Sequence, residues 1–229
     1  MKKQYAMLLV LMVMVFFLVS FPAGIEKVFA QDKSASAATI KLPAPKYSSD
    51  TSVEKALLER RSVRSYKAEP LTIPDIAQIL WAAQGITEPK KGMRTAPSAR
   101  GMYLIEVYLI AGNVTNLPAG MYKYGPQGHE LIKIAEGNIK DDLFKAAGQA
   151  QIKSAPVALL IVGKSAEASS NPPWMYLEAG HVSQNVYLQA ESLKLGAVTM
   201  AGFKTDDVKK ALNLPAGEQP IYIMCVGKK

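Results

Sequence analysis

The stretch that most constrains this chain is Pro156 to Gly163, in which Val157, Ala158, Leu159, Leu160, Ile161 and Val162 follow one another without a polar residue. Successive side chains on a strand point to opposite faces, so a strand that is apolar at every position needs cover on both. The run is bounded by turn residues and predicts a central strand in a layered fold.

Helices that could supply the cover are legible on either side. Thr72 caps a helix with Pro74 in its first turn and Asp75 three residues on; Ile76, Ile79, Leu80 and Ala83 form its apolar face before Gly85 stops it. The longest helix runs from Trp174 to about Leu195, with Ala179, Val182, Val186, Ala190 and Leu193 along one side and Gly196 as its left-handed stop. Shorter helices are predicted at Ser52 to about Arg61, where Thr51 and Glu54 resemble a capping box, at Asn138 to Ala147, and at Asp206 to Leu212 capped by Thr205. Strands are predicted at Tyr103 to Ala111, Ala197 to Met200 and Ile221 to Val226, and a hairpin at Met121 to Tyr124 and Glu130 to Ile134 around the turn Gly125 to Gly128. Glu88 to Gly92 reads as a loop. Helices surround a sheet of four or five strands without strand-helix alternation, which favours an α+β fold over a doubly wound sheet.

The first thirty residues stand apart from this pattern. Lys2 and Lys3 precede an apolar run from Ala6 to Val19, and Val28 to Ala30 offers a small-x-small cleavage site, so residues 1–30 read as a signal peptide or an N-terminal anchor. The domain is then expected to be exported, periplasmic or secreted, and tethered to a membrane by residues 6–20 if the leader is uncleaved. Residues 31–50, rich in Ser, Ala, Lys and Pro, read as a flexible linker, and 51–229 as one domain. Without the leader's three lysines and one glutamate the net charge falls from +8 to +6. That suits an anionic cofactor or a membrane surface, but no basic stripe or motif of a nucleic-acid binder is present. Cys225, the only cysteine, lies in the apolar run Ile221 to Val226 and reads as a buried, inert thiol. Two histidines, His129 and His181, argue against a histidine-rich metal site.

The most chemically suggestive segment is Glu59 to Tyr66. Arg60, Arg61 and Arg64 fall within five residues, with hydroxyls at Ser62 and Ser65. Guanidinium forks match phosphate oxygens bidentately and stay charged, so this is an anion site in outline. The plainer reading is a basic helix end offsetting the helix dipole.

The pattern Arg60-Arg61-Ser62-Val63-Arg64-Ser65-Tyr66 resembles the opening signature of the nitroreductase family of FMN-dependent oxidoreductases. Leu80 to Thr87, Arg94 to Ala99 and Glu178 to Asn185 resemble its branch of dehydrogenases from azoline-forming peptide synthetases, and the match runs in order from about Val53 to Gly227. The resemblance implies an α-β-α sandwich with a mainly antiparallel sheet, a homodimer, and FMN in the groove between subunits. Carried over, Arg60, Ser62 and Arg64, with Arg61 as a neighbour, contact the flavin phosphate and ribityl chain. Pro97, Ser98, Ala99, Gly101 and Tyr103 run along the ring, with Gly101 where many relatives have asparagine. Met200, Ala201 and Gly202 offer an amide near flavin N5, and Lys228 stands where relatives place a late cation.

Glu178, His181 and Asn185 share one helical face and could donate a proton to substrate or brace the dimer interface. The implied activity is ping-pong electron transfer through flavin N5 from a small-molecule donor to a nitro, quinone or similar acceptor. The alternatives are a dehydrogenase of peptide-derived azolines, or a non-catalytic flavin-binding module. Against the azoline reading, Ser169 to Tyr176 lacks the lysine of the Lys-Tyr pair that such relatives use.

Overall fold

The computed structural model describes residues 38–164 and 172–229. In chain order the elements are β1 (Thr39–Lys41), α1 (Val53–Glu59), α2 (Ile73–Gln84), β2 (Ile86–Glu88), β3 (Met93–Arg94), β4 (Ile105–Ala111), β5 (Gly120–Gly125), β6 (Glu130–Glu136), α3 (Ile139–Ala147), α4 (Gln151–Ser154), β7 (Val157–Lys164), α5 (Pro172–Ser192), β8 (Leu195–Met200), α6 (Thr205–Ala211) and β9 (Glu218–Lys228). Seven strands form one sheet in the order β1-β6-β5-β4-β7-β9-β8, and every neighbouring pair is antiparallel. The α+β sandwich expected from the sequence is what forms.

β7 explains the layers. Val157, Leu159 and Ile161 join the core beneath α2 and α5, while Ala158, Leu160 and Val162 join the core beneath α3, α4 and α6. All six are essentially inaccessible to water. Burying a side chain of this kind is worth about 1.5–3 kcal/mol, so the strand could not stay in place without both helical layers. α2 starts as its sequence predicts: the Thr72 side chain accepts from the Asp75 amide while the Asp75 carboxylate accepts from the Thr72 amide.

Several local expectations need correction. The linker of residues 31–50 is not loose over its described part, since Thr39, Ile40 and Lys41 pair with Ile132, Leu131 and Glu130, and Leu42 is buried. A three-residue strand is too short to show a period, yet it covers an edge that β6 would otherwise leave unpaired. α1 is capped by Ser52, not Thr51, through a 3.1 Å bond from the Lys55 amide. The predicted loop at Glu88 to Gly92 is the tip of the small β2–β3 hairpin.

α5 ends at Ser192, and the left-handed residue after it is Lys194 (φ 58°). Gly196 already pairs with Gly227 inside β8. It is glycine because a Cβ there would lie 2.6 Å from a methyl of Val63. α6 is preceded by Lys204 in the cap position with no side-chain cap bond, so Thr205 is its first helical residue. Cys225 is fully buried, and burial pushes its thiol up to about 12. The leader at residues 1–30, its apolar run included, lies outside the described residues.

Candidate functional site

The arginine segment leaves α1 and lies along the outer edge of β8. Ser62 makes a parallel bridge with Ala197, and the Val63 amide donates to the Ala197 carbonyl at 2.9 Å. The segment then crosses to the end of β9, where the Lys67 amide donates to the Lys228 carbonyl at 3.0 Å. Tyr66 points inward, its hydroxyl within 2.8 Å of the Val63 carbonyl and 3.2 Å of the Cys225 carbonyl. Burial holds that phenol well above its ordinary range, so it anchors the segment as a neutral donor.

The three arginines divide. Arg61 donates from Nη1 to the carbonyls of Leu58 and Arg60, closing the C-terminus of α1, so the helix-end reading holds for this residue. Arg60 lies with its guanidinium 5.2 Å from the centre of the Tyr187 ring. Among the described residues, Arg64 makes one long hydrogen bond, 3.4 Å to the Ser62 carbonyl. None of the three has an ion pair among the described residues. Cations held together without counter-charge suit an anion, and these residues fit a flavin phosphate.

Tyr187, on α5, is the residue that the sequence reading missed. Its hydroxyl accepts from the Thr199 amide at 2.7 Å and stands 3.5 Å from the Ser62 hydroxyl, while its ring carries Arg60. It thus locks the arginine segment to β8. Nothing in the sequence marks it, because its partners are distant in the chain.

Met200 ends the same strand, three residues beyond Ala197, or about 10 Å along it, and Ala201 and Gly202 follow. Met200 is buried and its two successors are exposed. The Gly202 carbonyl accepts from the Gln149 side chain at 2.7 Å. A cleft of about 500 Å³ opens here between α3 and α6, walled by Ala147, Gly148, Phe203 and Lys204.

The Pro97 to Tyr103 segment is elsewhere, against the N-terminal half of α5. Arg100, Gly101 and Tyr103 are all left-handed (φ 54°, 66° and 48°), a conformation that glycine alone adopts cheaply. Pro97, Ser98, Ala99, Trp174, Leu177 and His181 surround a cavity of about 290 Å³. His181 places Nδ1 3.0 Å from the Pro97 carbonyl.

Glu178 also lies at the wall of this cavity. It is 2% exposed and both carboxylate oxygens are engaged within its own chain, by Ser98, Gln84 and two backbone amides. In this arrangement the carboxylate ties α5 to α2 and to the Ser98 to Ile105 segment of its own chain. Asn185 lines a different cleft, of about 620 Å³, with Trp81 and Gln189. Lys228 sits 3.7 Å from Asp75 at the start of α2, and Lys229 pairs with Glu191, so the basic tail is tied down.

Within one chain, then, the structure joins Arg60, Ser62 and Arg64 to the strand that ends at Met200 and leads into Ala201 and Gly202. It keeps Pro97 to Tyr103 apart: Glu178 and Tyr187, which hold the two groups, are nine residues apart on α5, about 14 Å along its axis.

The Nitroreductase family pattern matches residues 57–228. A protein of Methanocaldococcus jannaschii named as a candidate nitroreductase is 36% identical over 183 residues, covering 77% of this chain and 91% of its own. The crystal structure of a candidate nitroreductase from Ralstonia eutropha superposes with a TM-score of 0.73 at 30% identity, covering 85% of this chain and 90% of that one. A chain of the E. coli microcin synthetase complex shares the fold at 22% identity, with a TM-score of 0.65 and coverage of 94% and 86%. With its antiparallel sandwich and arginine-lined strand edge, the chain belongs to the Nitroreductase family and is an oxidoreductase of it.

Proposed function

We propose that the protein is a homodimeric, FMN-dependent oxidoreductase that reduces a nitro compound, a quinone or a similar small acceptor in a ping-pong cycle. The observation that supports it best is the pair of cations beside β8, without an ion pair among the described residues: Arg60 and Arg64, with the Ser62 hydroxyl between them, along the strand that leads into the exposed Ala201 and Gly202. Arg60, Ser62 and Arg64 would hold the phosphate. The Ala201 and Gly202 backbone would meet the ring edge.

Bound FMN supplies hydride chemistry at N5. The protein's part is to bind, orient and shield. Tyr187 keeps Arg60 and Ser62 at fixed distance from Thr199, so the phosphate end and the ring end of the site keep their spacing. The small residues Ala201 and Gly202 leave room for a planar acceptor beside the exposed backbone. No side-chain nucleophile is required.

Two features favour a dimer. Pro97 to Tyr103 and the arginine segment are anchored about 14 Å apart along α5 of one chain, and a second copy that supplied one of them would bring both to one groove. Val53, Leu57 and Leu58 on α1 and Tyr176 and Leu177 on α5 are also exposed apolar side chains of the kind that mark interfaces. The reading places the protein outside the cytoplasm, on the strength of its leader sequence, where nicotinamide cofactors are scarce and another donor is expected.

Azoline oxidation is the second reading, favoured by the shared fold with the microcin synthetase chain and weakened by the missing lysine before Tyr176. A visible spectrum of protein lacking residues 1–30, taken after adding FMN and desalting, tests the first. Retained flavin bands that bleach on reduction and return with a quinone or nitro acceptor are expected. Loss of all flavin on desalting at micromolar protein would sink the proposal.

A further inference from the structure

Four donors converge on one buried carboxylate. Oε2 of Glu178 accepts from the Ser98 hydroxyl at 2.6 Å and the Leu104 amide at 3.1 Å; Oε1 accepts from the Ile105 amide at 3.2 Å and the Gln84 side chain at 3.1 Å. A carboxylate so deep in the chain is costly unless its lone pairs are met, and here they are met without a direct cation. Gln84 turns its other end, Oε1, to the Arg94 guanidinium at 3.3 Å, so one amide bridges a cation to the anion.

Three of the four donors, Ser98, Leu104 and Ile105, belong to the segment that contains the left-handed residues Arg100, Gly101 and Tyr103. The same segment is fastened to itself. The Ser98 hydroxyl oxygen accepts from the Tyr103 amide at 2.8 Å, the Tyr103 hydroxyl accepts from the Arg94 amide at 3.1 Å, and the Arg94 guanidinium lies 4.5 Å from the centre of the Tyr103 ring. Two non-glycine residues in left-handed backbone persist only where their surroundings over-determine them. Glu178 provides the determinant: an ionised acceptor, which binds donors about twice as strongly as a neutral one.

We propose that Glu178 is the positioning residue for the face that Pro97 to Tyr103 presents to the cofactor, and that its charge holds this loop in a strained shape ready for binding. This rests on the FMN reading above. Glu178 touches no reacting atom; it acts through Ser98 and the Leu104 and Ile105 amides. Glutamine at this position would keep the volume but turn an NH₂ toward two of the four donors, one of them the fixed amide of Leu104 or Ile105, a donor-donor opposition.

The test uses Glu178→Gln in protein lacking only the leader, with Val208→Ala on the opposite face of the sheet as a control for lost stability. Two quantities are read: amide hydrogen exchange at Leu104 and Ile105 without flavin, and the dissociation constant for FMN measured well below the unfolding transition. In Glu178→Gln, exchange is expected to quicken and FMN affinity to fall, each by about tenfold or more. Val208→Ala lowers the unfolding temperature and moves neither. If Glu178→Gln does not fold, Ser98→Ala, which removes one link between carboxylate and loop, is read the same way. Unchanged exchange overturns the proposal, and so does faster exchange with wild-type FMN affinity. A wild-type protein that binds no FMN overturns the cofactor reading and this one together, an outcome distinct from wild-type binding that the substitution leaves intact.

Discussion

β7 lies inside the sheet and the arginine segment runs along its outer edge, with β9 and β8 between them, and the two obey opposite rules. In β7 six consecutive side chains are buried and each has packing partners on one face or the other. In the segment at the edge of β8, three cations stand within five residues, and none has an ion pair among the described residues. Packing accounts fully for the residues of β7. It accounts for Arg61, which closes α1, and leaves Arg60 and Arg64 to be explained by something that binds.

The largest separation of the two regions comes from the core. Leu159→Ala should cost about 2–5 kcal/mol of stability, read as a drop in the denaturation midpoint, with FMN affinity of the remaining folded protein unchanged. Arg64→Ala should do the reverse: stability within about 0.5 kcal/mol of wild type, and FMN binding weaker by about tenfold to a hundredfold in a fluorescence titration. Wild-type affinity in Arg64→Ala would erase the distinction between the regions. Tyr187→Phe sits between them. Loss of one hydroxyl that serves both Thr199 and Ser62 should cost about 1 kcal/mol of stability and a few-fold in FMN affinity, and an effect on only one of these would show which region it serves.

The smallest effect concerns the N-terminal edge of the sheet, where His129 lies between the Tyr124 hydroxyl (2.8 Å) and the Pro43 carbonyl (3.0 Å). Burial lowers the His129 pKa. The unfolded chain therefore takes up the proton first as pH falls, and this residue's contribution is present above its unfolded value near 6.5 and shrinks below it. A slight acid loss of stability, absent in His129→Gln, is the expected result of thermal melts across pH 5 to 8.

Much of the fold was legible because the strongest patterns are local. The unbroken apolar run of β7, the capping box of α2 and the Gly-rich hairpin turn each state their structure within a dozen residues. β1 was read as part of a linker because three residues cannot show alternation; its partner on β6 is some ninety positions away. Gly196 was read as a helix stop when it is a strand glycine making room for Val63. The candidate site divides in the same way. Arg60, Ser62 and Arg64 were found by charge type and spacing. Tyr187 was not; Glu178 was, as a proton donor or a brace, but its four donors were not.

By itself the sequence determined the layered α+β class, the central strand, the main helices and an anion-seeking cluster, because periodicity and residue chemistry are written along the chain. Only the tertiary structure decided which arginines remain uncompensated, which edge they line, and where Glu178 directs its charge. Those depend on contacts between residues far apart in the chain, 125 positions for Ser62 and Tyr187. Spacing along the chain carries no record of such contacts; folding makes them.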